Sequence, residues 1–179
     1  VNNKKYNDKF KLWLANQVNV SIDNFIEKLI LKSENNFMYL RYLLLSIVSG
    51  YYSNKSINQL PKNLIDYYID HWRIMGMTKR PLPRNKIKII YIICVLREAT
   101  SCELIAEISK LDISKVEEVI KDWIQFLHKQ EYNPPRYRFY HESFRDFLQR
   151  QDTVKRAKVD LSEIKLEITN NIMEGYDYE

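Results

Sequence analysis

The side chains best suited to chemistry in this 179-residue chain are three histidines, two cysteines and a few paired acids. One histidine stands in a pattern. In RFYHESFRDFLQR, residues 138–150, His141 follows an alternating aromatic run and precedes an acid and a helix signal. At the end of such a strand a histidine could simply bond local backbone. His71 falls on a helix face and His128 at a helix end, with no nucleophile elbow beside either. Cys94 lies in an apolar run, and no C-x-x-C or Cys/His cluster accompanies it or Cys102. Both read as small hydrophobes in a reducing compartment. Glu117/Glu118 and Asp66/Asp70 read as solvated faces. Phosphate cradles need glycines at fixed spacing, and the isolated Gly50, Gly76 and Gly175 make neither G-x-x-x-x-G-K nor G-x-G-x-x-G. No catalytic residue and no metal ligand is assigned, and the chain by itself is not expected to be an enzyme.

The elements that position these groups are mostly helical, because three glycines cannot serve the many φ > 0 turns of a sheet-rich fold. Residues 5–17 place Phe10, Trp13, Leu14 and Val18 at helical spacing. Ser21 caps a second helix whose inner stripe is Ile22, Phe25, Ile26, Leu29 and Ile30. A third, FMYLRYLLLSIV, is apolar nearly all round and stops at Gly50. The fourth starts near Pro61, turns Leu64, Tyr67, Tyr68, His71, Trp72 and Met75 inward and stops at Gly76. These four form a helical bundle domain, residues 1–80. TKRPLPRNK is the linker, since Pro81 and Pro83 block helix continuation.

Residues 81–151 read as a second domain. KIKIIYIICVLREA is its central helix, Thr100 or Ser101 caps CELIAEISKL, and Asp112 or Ser114 caps KVEEVIKDWIQFLHKQ. In that last helix Val116, Val119, Ile120, Trp123, Ile124 and Leu127 face inward. After the EYNPP turn, YRFYH alternates as a strand, and Ser143 with Asp146 imitates a capping box for SFRDFLQRQ. Three helices, a short β-hairpin and a helix is the winged-helix order. The expected fold class is therefore mainly α: a four-helix domain followed by a winged-helix domain. Residues 152–179 form an acidic helical extension that could begin a further domain, and the chain, starting at Val1, is expected to be a piece of a longer protein.

Net charge is +5, spread as +6 over residues 1–80, +2 over 81–150 and −3 over 151–179. No segment reaches the roughly 18–20 apolar residues of a membrane span. No signal peptide is recognisable at the N-terminus. A cytoplasmic location without membrane partners is expected.

FYHESFRDFL resembles the end of the winged-helix domain in STAND-class NTPases of the NACHT and NB-ARC type, where a Met-His-Asp-like tripeptide precedes a closing helix. Here the tripeptide reads Tyr140-His141-Glu142, with glutamate in place of the usual aspartate. SENNFMYLRYLLLSI resembles the helix that follows the ATPase core, with Asn35 where many relatives carry glycine and Phe37 where NB-ARC relatives carry proline. LPKNLIDYYIDHW resembles the connection between the helical and winged-helix domains, so the likeness spans about residues 5–150. It implies an ATPase domain upstream, carrying ATP or ADP with magnesium, and a sensor domain downstream. These are the expected partners, with homo-oligomers forming on activation. It further implies that His141 contacts the β-phosphate of ADP, that Asn36 and Phe37 lie on the adenine side, and that Glu142 and Arg145 brace the closed state. Signalling in innate immunity, antiviral defence or programmed cell death is the family-level expectation. For Phe37, packing into the core competes with nucleotide contact.

Two other readings compete. A winged helix often binds DNA through its third helix. Between Asp112 and Gln130, however, four acids outnumber three lysines, and phosphates would be repelled. Arg84, Lys86, Lys88, Arg136 and Arg138 keep a backbone-contact mode open, but nucleic acid is not the expected partner. A non-catalytic interaction scaffold would instead use exposed aromatics such as Tyr51, Tyr52 and Tyr132.

Overall fold

A computed structural model of the chain describes residues 3–17 and 20–176, so Val18 lies outside the described residues. The fold is mainly helical with one small antiparallel sheet. The chain divides into two compact units, Val1–Ile74 and Met75–Glu179. Among the described residues no helix is long and apolar enough to cross a membrane.

The first unit holds α1 (Asn3–Ala15), α2 (Ile22–Ser33), α3 (Phe37–Val48) and α4 (Leu64–Ile74), with α3 packed against each of the other three. Ser21 caps α2 by accepting from the Asn24 N–H. Gly50 and Gly76, at φ +87° and +76°, lie just beyond the ends of α3 and α4. Two aromatic groups fill the core. Phe25 meets Phe10 and Trp13 at 5.2 and 5.7 Å, and Trp13 Nε1 donates to the Tyr52 carbonyl at 2.8 Å. Tyr42 stacks on Tyr67, whose hydroxyl pairs with Ser46 at 2.8 Å.

Several expectations need correction here. On α2 only Phe25, Leu29 and Ser33 are buried; Ile22, Ile26 and Ile30 are exposed, because the stripe is wider than the strip that α3 and the α1 aromatics cover. Tyr52 is fully buried rather than exposed, tucked beneath the Trp13 contact. The fourth helix begins at Leu64, not at Pro61. Asn63 supplies the cap by accepting from the Asp66 N–H, while the Pro61 carbonyl takes the Tyr39 hydroxyl. Asp70 is not a plain solvated acid, since Lys55 and Arg73 hold it at 2.8 and 3.2 Å.

The second unit runs α5 (Arg84–Leu96), β1 (Thr100–Ser101), α6 (Cys102–Ser109), α7 (Ile113–Asp122), β2 (Leu127–Gln130), β3 (Arg136–Phe139), α8 (Glu142–Gln149), α9 (Gln151–Ala157) and α10 (Leu161–Tyr176). The sheet order is β1-β3-β2, both pairings antiparallel. Central α5 buries Ile87, Ile89, Ile90, Tyr91, Ile92, Ile93 and Cys94, as its nearly uniform apolarity requires. Ser101 caps α6 and Asp112 stands at the α7 N-cap. The third helix is shorter than its periodicity suggests. α7 stops at Asp122, and a 3-10 turn over Ile124–Phe126 leads into β2, which pairs with β3 from Leu127↔Phe139 to Gln130↔Arg136. Pairing with a partner strand overrides local helical spacing in Leu127–Gln130, places His128 on a strand and leaves Ile124 exposed. Phe144 is the hub of this core, 4.5 Å from Phe126, 5.2 Å from Phe139 and 5.7 Å from Trp123. The C-terminal segment packs on the same unit: α10 lies against α5 and α6, burying Ile164 and Ile168 and pairing Glu167 with Lys88 at 2.7 Å.

Candidate functional site

His141 sits where β3 hands over to α8. The Tyr140 N–H donates to the Phe126 carbonyl at 2.7 Å, which ends the hairpin, and His141 then takes an extended backbone, φ −140° and ψ 138°. Its own ring caps α8. The Ser143 N–H donates to His141 Nδ1 at 3.2 Å, and the Ser143 hydroxyl lies 2.7 Å from the same nitrogen. The helix thus begins two residues earlier than a Ser143 cap predicts, because the imidazole lone pair does the work usually left to Ser, Asp or Asn. With Nδ1 accepting, the neutral ring carries its proton on Nε2. The side chain is exposed. The site is therefore an N–H donor held at the positive end of a helix dipole, open to solvent.

Glu142 and Arg145 fix this helix start from beneath. Arg145 is only 6 % exposed. Its Nε donates to the Cys94 carbonyl at 3.0 Å, its Nη2 to the Arg97 carbonyl at 3.4 Å and its Nη1 to the Glu142 carboxylate. It also lies over the Phe139 ring, 5.8 Å from the centroid. The acceptors belong to the last turn and exit of α5, where helix carbonyls lack intrahelical donors and Arg97 adopts φ +63°. A buried guanidinium thereby joins the end of α5 to the start of α8. The hydrogen bond from Arg145 holds the Glu142 carboxyl below the usual carboxylate range.

In the first unit, Asn36 caps α3 by accepting from the Met38 N–H at 2.9 Å. Phe37, the next residue, is 73 % exposed, so core packing is not its role. Glu34 and Asn35 both have positive φ, 49° and 61°, the region that favours glycine.

The five basic residues separate into two groups. Lys86 is paired with Asp122 at 2.8 Å, Lys88 with Glu167, and Arg84 donates to the Lys158 carbonyl at 3.0 Å. Arg136 and Arg138 lie on β3, exposed and without an ion pair among the described residues. Sequence reasoning missed what lies beside them: His128 and Gln130 stand opposite in the register, and the only signal was the even-numbered parity of Arg136, Arg138 and Tyr140. Of the three aromatics expected at the surface, Tyr51 and Tyr132 are exposed. No three His, Cys, Asp or Glu side chains among the described residues come together as a metal centre.

No protein-family model matches this chain, and neither does any curated protein or solved structure.

Proposed function

We propose that this chain is the regulatory helical and winged-helix module of a STAND-class, NACHT-like signalling ATPase, closing over bound ADP and opening on activation. The reading rests on one observation: an exposed His141 ring whose Nδ1 is tied to the helix start, which leaves Nε2–H as the donor available to a ligand. ADP held by an upstream ATPase domain supplies the negative charge that such a donor reads. An N–H directed at a phosphate makes a charge-assisted bond worth about 1.5–3 kcal/mol. A contact made in only one conformation biases the equilibrium by its full differential energy, about ten- to a hundredfold here. Three further features support the reading. The exposed Phe37 ring offers a flat apolar face of the kind a base can stack on. Asn35, standing where the resemblance expects glycine, holds the left-handed backbone that glycine takes easily. The buried Arg145 joins the sensing helix to the end of α5, so Glu142 and Arg145 have the geometry of a brace.

The experiment is a pair of substitutions in the full-length protein. His141→Asn keeps a capping acceptor, and His141→Ala removes both cap and imidazole. Both should release ADP about ten- to a hundredfold more readily and signal without a trigger. If His141→Asn retains ADP as the parent does, the imidazole plays no part in nucleotide sensing, and the scaffold reading takes its place. A third-helix mode of duplex recognition is disfavoured on charge, since α7 carries Glu117, Glu118 and Asp122 against Lys115 and Lys121.

A further inference from the structure

The sheet of the second unit has one face in the core and one in solvent. Leu127, Phe139 and Thr100 point inward and are buried. Register sets the outer face: His128 stands opposite Arg138, Gln130 opposite Arg136, and Ser101 opposite Arg136 on the other side. Tyr140 extends the same row, its ring 6.5 Å from that of His128 in an edge arrangement. At the tip, the Arg136 guanidinium lies 5.0 Å from the exposed Tyr132 ring. The outer face is thus two arginines flanked by an imidazole, a carboxamide and two exposed tyrosines.

Neither Arg136 nor Arg138 forms an ion pair among the described residues. Glu131 is taken up by Lys129, and Glu142 by Arg145. Two acids of α7 are engaged elsewhere: Asp122 pairs with Lys86, and Glu117 lines a cleft with Cys102, Lys129 and Tyr137, side chains of the opposite parity from Arg136 and Arg138. A structural role would pair the arginines or bury their stems against apolar neighbours. Here they repeat every second residue, about 6.8 Å apart along the strand, beside aromatic faces.

We propose that this outer sheet face binds single-stranded nucleic acid, with Arg136 and Arg138 on successive phosphates and Tyr140 and Tyr132 stacking bases. Sequence-tolerant single-strand sites combine a cationic track with aromatic platforms, whereas a duplex would need a helix or ribbon seated in a groove. Neither the ADP contact nor His141 is involved, so this site stands or falls independently of the module's role in a signalling ATPase.

The test is fluorescence anisotropy of a labelled oligouridylate, titrated with the whole chain across a salt series starting at about 50 mM. The parent should bind, and R136A/R138A should weaken binding at least about tenfold while the circular dichroism spectrum is unchanged. Removing two phosphate contacts should also flatten the log Kd against log salt slope by about 1.4, twice the ~0.7 expected per single-strand contact. R136K/R138K preserves the charges and should keep that slope. The proposal is overturned by no binding at about 100 µM protein, by alanine replacements that leave the slope intact, by a duplex binding more tightly than the single strand, or by polyglutamate competing as well as the oligonucleotide.

Discussion

Replacing His71 with phenylalanine should abolish an acid sensitivity built into the first unit. His71 lies on α4 and is 1 % exposed, stacked on Tyr67 at 5.8 Å and edge-on to Tyr51 at 5.6 Å. Burial pushes its pKa down to about 4 from the ordinary 6.5, because a charged imidazole would lose its hydration there. Asp70 pulls the other way but is shared between Lys55 and Arg73, so desolvation wins. Between these two pKa values the unfolded chain binds the proton and the folded chain does not. Stability from this group is therefore complete above about pH 6.5 and falls as the pH drops through 6.5 towards 4. At ~1.36 kcal/mol per unit the full loss is about 3 kcal/mol, of which about 2 kcal/mol is gone by pH 5. Phenylalanine keeps the ring contacts and cannot titrate. Urea unfolding of parent and His71→Phe at a series of pH values between neutrality and pH 5 gives the difference directly, and carboxylates common to both cancel. Any hydrogen bond lost with the imidazole shifts the difference by a constant and leaves its pH dependence unchanged. A difference that stays flat over that range would refute the argument that burial keeps this histidine neutral.

Arg145→Ala should destabilise the second unit by about 2–4 kcal/mol, because it leaves two carbonyls at the α5 exit without their donor. In the same denaturant titration Glu142→Gln should cost no more than about 1 kcal/mol, its carboxylate being largely exposed. Asn35→Gly should stabilise the first unit by up to about 1 kcal/mol, and Asn35→Val should cost about 1–2 kcal/mol, since φ is +61°. Thermal unfolding followed by circular dichroism would reveal both, and a stabilising valine would show that the left-handed turn is not retained.

The sequence was most legible where one rule acted alone. Ser21 and Ser101 cap the helices they precede, Gly50 and Gly76 lie just past the ends of theirs, and the unbroken apolar run of residues 89–94 means burial on most sides. It was least legible where a distant partner decided. Leu127–Gln130 continues a helical spacing, and only pairing with β3, across the turn, makes it a strand. The α2 isoleucines form a proper amphipathic stripe, but periodicity cannot say how much of a stripe a neighbour will cover. At the candidate site, position was readable and role was not. His141 was expected to follow a strand and precede a helix, yet its side chain supplies the cap that Ser143 was expected to give. The reach of Arg145 to Cys94 and Arg97 spans about fifty residues of chain, a distance no local pattern reports.

That reach makes the imidazole the outer end of a strut. Its helix starts at the ring, turns once and is pinned by a guanidinium to the exit of the rod that runs through the middle of the unit. A pull on the ring is met first by its own bond to the Ser143 N–H, and one that reaches the helix start is carried on to the Cys94 and Arg97 carbonyls.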